Sequence, residues 1–103
     1  MVAQIHHIND AALILMRHQG TMKQRLAAAC DELWAAMENP EEWPTDLMEH
    51  ASRIVDKILE SSAIGNPVKN MDERTARRVA VAITRLAAEL RKRGLVPPVP
   101  SDK

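Results

Sequence analysis

At 103 residues, with 14 basic and 14 acidic side chains, the chain has room for one small core and no net charge with which to draw in a charged partner as a whole. Its aromatic residues are Trp34 and Trp43 alone, which excludes a stacking platform for single-stranded nucleic acid or a flat cofactor. The single cysteine, Cys30, excludes an internal disulfide and fits a reducing, cytoplasmic compartment.

Apolar residues recur at intervals of three and four throughout, and this spacing predicts an all-α fold. The expected architecture is a small antiparallel bundle of four helices over 1–94, followed by an extended, Pro-rich tail over 95–103. The first helix is expected from Ala3 to His18, with Ile5, Ile8, Ala12 and Leu15 on one stripe. Its apolar run from Ala11 to Met16 has no preceding basic residue and is too short to span a bilayer, so neither a secretory signal nor a membrane role is expected.

Gly20 can end this helix in the left-handed conformation, and Thr21 with Gln24 forms a capping box that opens the second. The second helix then runs to Glu38 with Met22, Leu26, Cys30, Leu33 and Met37 inward, and Asn39 and Pro40 stop it. A rival reading fuses the two helices, because the series from Ile5 through Leu15 and Met22 to Leu33 keeps its heptad phase across Gly20, leaving three helices. The fused helix would be about 54 Å long. A compact domain of this size is roughly 34 Å across, so a break at Gly20 is favoured.

Asn39, Pro40 and Glu42 have the pattern of a one-turn helix start in which Glu42 returns a bond to the cap. Trp43 is expected to pack over the end of the bundle. Thr45 and Asp46 open the third helix, which runs to Ser61 with Leu47, Ala51, Ile54, Val55, Ile58 and Leu59 inward and Asp46, His50, Arg53, Lys57 and Glu60 outward. A loop from Ser61 to Lys69, holding Gly65 and Pro67, leads to a capping box of Asn70 and Glu73. The fourth helix is expected from Met71 to Arg93, stopped by Gly94, with Val79, Ile83, Leu86 and Leu90 buried. Pro97, Pro98 and Pro100 keep the tail extended.

Charge is segregated along the chain. Residues 31–60 carry nine acidic side chains against two basic, and residues 61–103 carry nine basic against four acidic. The plain expectation is that the acidic third helix and the basic fourth face each other and neutralise one another.

No catalytic constellation stands out. His6 with Asp10, and Asp46 with His50, are one turn apart and could each give a metal two ligands, but both pairs point toward solvent rather than toward a core. His7 and His18 share a stripe with Ile14 and read as half-buried. Cys30, set between Leu26 and Leu33, reads as a buried structural thiol. Glu41 and Glu42 are explained by capping. No catalytic residue, metal or cofactor is therefore assigned, and no motif marks a known family.

Two functions remain. The residues from Ala11 to Met16 circle the whole helix, so one buried face cannot cover them all. This points to a non-enzymatic interaction or scaffold protein, a homodimer or the binder of a protein partner, with Ile5, Ile8, Leu13, Ile14 and Met16 as the contact. The alternative is a nucleic-acid-associated regulator in which Arg74, Arg77, Arg78, Arg85 and Lys92 form a stripe that tracks phosphates.

Overall fold

The computed structural model describes residues 4–63 and 68–97. Four α-helices carry the fold: α1, His7–Arg17; α2, Met22–Ala36; α3, Thr45–Ser61; and α4, Glu73–Lys92. Short 3-10 turns at Gln4–His6 and Pro40–Glu42 precede α1 and α3. The expected starting residue Ala3, the loop residues Gly65 and Pro67, and the tail prolines Pro98 and Pro100 lie outside the described residues. The radius of gyration, 13.0 Å, is that of a compact chain of this length.

The chain breaks at Gly20, and α1 and α2 are separate helices. Gly20 has a φ of +121°, a conformation that residues with a side chain rarely adopt and that is incompatible with a continuous helix. Thr21 then caps α2 with the expected box: its Oγ1 accepts the Gln24 N–H at 3.2 Å, while its own N–H donates to Gln24 Oε1 at 2.9 Å. α1, α2 and α4 pack against one another, and α3 lies along α4. Ile8, Leu26, Leu33, Ile58, Ile83 and Leu90 are the largest fully buried aliphatic side chains, contributed by all four helices.

Two expected capping boxes do not form. Asn39 makes no side-chain cap bond, and Glu42 instead accepts the backbone N–H of Ile5 at 2.9 Å across the fold. Asn70 likewise does not cap α4. That position belongs to Asp72, whose carboxylate accepts the Thr75 N–H at 2.7 Å, so the helix begins at Glu73 rather than Met71. Met71 is freed to bury its side chain in the core beside the loop residue Val68.

Other local expectations also change. The first turn expected of α1 is 3-10, α2 stops at Ala36, and Leu59, expected inward, is 57% exposed. Trp43 is buried as expected, with its indole N–H donating to the Ala36 carbonyl at 2.9 Å. The core also extends past Gly94. Val96 is buried, and the Pro97 carbonyl accepts the Asn9 side-chain amide at 2.7 Å. Asn9 in turn accepts from Arg91 Nη1 at 2.9 Å, so one buried polar side chain joins α1, α4 and the start of the tail.

Candidate functional site

α4 is strongly two-faced. Ala76, Val79, Ala80, Ile83, Leu86, Ala87 and Leu90 are buried, which leaves Arg74, Arg77, Arg78, Val81 and Arg85 on the solvent side. Arg53 of α3 joins them across the α3–α4 seam. Ala82, too short to fill its own surroundings, is the common floor of three shallow depressions of about 600, 520 and 470 Å³, and Arg53, Arg78 and Arg85 each line two of them.

The expected neutralisation of α4 by α3 is confined to one end. Arg93 grips Asp46 in a two-bond fork of 3.1 and 2.7 Å, with Glu89 at 3.4 Å on the same guanidinium. Hydrogen bonding from Arg93 holds the Asp46 carboxyl below the usual carboxylate range. Among the described residues, Arg53, Arg74, Arg77, Arg78 and Arg85 make no ion pair or hydrogen bond through their side chains. Asp72 lies near Arg74 and Arg78, but its carboxylate is held first by the Thr75 N–H, which keeps its pKa low. Asp56 and Glu60 border the second depression on its α3 side. The face is therefore a basic patch with an acidic edge, laid over an apolar floor of Ile54, Val79, Ala82 and Leu86.

Lys92 lies outside these depressions. It lines a separate hollow between α1 and α4 with Leu13, Met16, Thr84, Ala88 and Arg91. Of the contact residues expected on the first helix, Ile5 and Ile8 are in the core, because the 3-10 turn and first helical turn tuck them under the neighbouring helices. They cannot supply an exposed surface. Ile14 is half-buried against the core and Leu13 half-buried beside the hollow, while Met16 is 64% exposed.

The two histidine pairs considered from the sequence do not assemble. Asp46 is taken by Arg93, and it is His7, not His6, that meets Asp10, at 3.6 Å between Nδ1 and Oδ2. Cys30 is buried, and desolvation followed by the nearby Asp31 charge pushes its thiol up to about 11, as suits a structural residue. Spacing within α3 puts Arg53 on that helix's solvated ladder. Its partnership with Arg78 and Arg85 depends on how α3 lies along α4, which no spacing within either helix encodes.

The fold and site together define an all-α bundle with an exposed basic face. Comparison with protein-family models, curated proteins and solved structures returns no match to this chain, so the functional reading rests on its own geometry.

Proposed function

We propose that this chain is a small binding module whose α3–α4 face takes the phosphate backbone of duplex nucleic acid. The observation that carries the reading is the set of five exposed arginines, Arg53, Arg74, Arg77, Arg78 and Arg85, none of them in an ion pair with a carboxylate among the described residues. Like charges gathered this way repel one another, and a polyanion relieves that repulsion. From Arg74 to Arg85 the stripe covers about 16 Å of helix, the rise of four to five base pairs of duplex. Arginine supplies planar donors matched to phosphate oxygens. The face has no aromatic residue on which an unstacked base could lie, which favours duplex over single strands.

The test is fluorescence anisotropy with a labelled 20-base-pair DNA at increasing salt. Four to five phosphate contacts give log K against log[salt] a slope of about −4, and each arginine replaced by alanine lowers that slope by about 1. The double variant Arg78→Glu, Arg85→Glu abolishes binding, whereas Asp56→Lys with Glu60→Lys strengthens it by removing the acidic edge. Binding that ignores both salt and these substitutions would overturn the reading.

A second reading, self-association or capture of a protein partner, is favoured by the exposure of Met16 beside Leu13 and Ala88. In it the hollow between α1 and α4 is the contact, without Ile5 and Ile8. Light scattering on a sizing column returns twice the mass of one chain if this reading holds for a second copy, and Leu13→Asp with Met16→Asp restores the single-chain mass.

A further inference from the structure

We propose that His7, Asp10 and Glu32 form a binding site for a divalent first-row transition cation of the zinc class. The site is separate from the arginine face and independent of the function proposed for it. His7 and Asp10 stand one turn apart at the start of α1, and Glu32 comes from α2. The helices bring them together because α1 and α2 pack against one another, with the small residues Ala11 and Ala29 buried on them.

The three groups present one ligand atom each, and all three atoms lie within 4.8 Å of one another. His7 Nδ1 is 2.7 Å from Glu32 Oε2 and 3.6 Å from Asp10 Oδ2. A tetrahedral zinc ion with ligands at about 2.0–2.1 Å spaces those ligands about 3.3–3.4 Å apart. The Asp10 distance already fits, and the Glu32 carboxylate must withdraw by about 0.6 Å, exchanging its hydrogen bond to the imidazole for a bond to the metal.

Charge argues for a cation as well. Neither carboxylate is paired with a lysine or arginine among the described residues; the ion-pair partner of both is His7. An ordinary helix-to-helix ion pair needs one carboxylate, and Asp10 adds a second negative charge that the imidazole cannot balance. Two carboxylates and one imidazole are donors that a borderline cation such as Zn²⁺ accepts, and the side chains are 37%, 57% and 33% exposed, which leaves the remaining coordination positions to water.

The experiment is a titration of chelator-treated, full-length protein with Zn²⁺ by calorimetry, alongside Co²⁺ followed by visible absorption. One equivalent is expected to bind, with a rise in Tm on Zn²⁺ addition, since a ligand that binds only the folded state stabilises it. Asp10→Asn and Glu32→Gln are each expected to weaken binding at least tenfold, while His6→Gln, His18→Gln and His50→Gln leave it unchanged. Asp10 is exposed and its side chain has no polar partner but His7 among the described residues, so Asp10→Asn keeps the fold intact, with far-UV circular dichroism as the check. A folded wild-type protein that takes up no Zn²⁺ would overturn the site, as would uptake that survives Asp10→Asn and Glu32→Gln but is lost with another histidine.

Discussion

Glu73, the first residue of α4, caps α2: its carboxylate accepts the Met22 N–H at 3.2 Å and the Lys23 N–H at 3.1 Å. With Thr21 taking the Gln24 N–H, the first three N–H groups of α2 are all satisfied, two of them by a residue some fifty positions away in the chain. Bonds from Lys23 first, and then from Met22, hold the Glu73 carboxyl below its usual range.

Acid should therefore loosen the bundle through a small set of groups. The Glu73, Asp72 and Asp46 carboxyls all have lowered pKa values, so each stabilises the fold fully above the ordinary carboxylate range and loses its contribution as pH falls through its folded-state value. Tm should be level from about pH 7 to 5 and fall steadily below about pH 4. Glu73→Gln lowers Tm at neutral pH and flattens part of this acid slope; thermal melts of both proteins across pH check it.

Gly20 and Gly94 both have positive φ, at +121° and +76°, yet they should respond differently to substitution. A Cβ at Gly20 would overlap the Gln24 carboxamide that closes the capping box, whereas nothing lies within 4 Å of one at Gly94. Gly20→Ala is expected to cost about 2–4 kcal/mol, combining backbone strain with loss of a cap. Gly94→Ala costs about 1–2 kcal/mol, the strain of the left-handed conformation alone. Urea denaturation of the two variants separates the cases.

The start of the tail should matter to stability through Val96 and Pro97. Val96 is 3% exposed, so Val96→Ala is expected to cost about 2 kcal/mol. A chain ended after Gly94 should lose more than Val96→Ala does, because Asn9 and Arg91 then lose the Pro97 carbonyl that completes their network. Chemical denaturation of both variants gives the comparison.

Cys30 should be silent in the native protein. With its thiol pushed up to about 11 and its side chain buried, a disulfide reagent at pH 8 is expected to react only through opening of the structure. Its rate should rise at least a hundredfold in unfolding concentrations of urea. Rapid labelling of the folded chain would contradict this.

The three possible capping boxes show how far sequence logic reaches. Thr21 with Gln24 forms because both residues belong to one helix start and Gly20 delivers the chain to it. In the other two patterns the cap residue is asparagine, and in both the glutamate leaves its expected partner for a distant N–H, Glu42 for Ile5 and Glu73 for Met22 and Lys23. A carboxylate can satisfy any donor within reach, and the packing of the helices decides which donor that is. The same limit explains Ile5 and Ile8. Their apolar character is plain in the sequence, but whether they face a partner or the chain's own core depends on where α2 and α4 lie.

By itself, then, the sequence determined the helices, their amphipathic faces and the basic side of α4, and favoured the break at Gly20 over a fused helix, because helical periodicity and glycine stereochemistry are local and act within a few residues. The tertiary structure alone decided that Arg53 completes the arginine face, that Arg93 takes Asp46 while Arg53, Arg74, Arg77, Arg78 and Arg85 have no ion pair among the described residues, and that His7, Asp10 and Glu32 converge. Each of these depends on which helix lies beside which. That is fixed by the burial of all the apolar faces at once, and no single segment carries it.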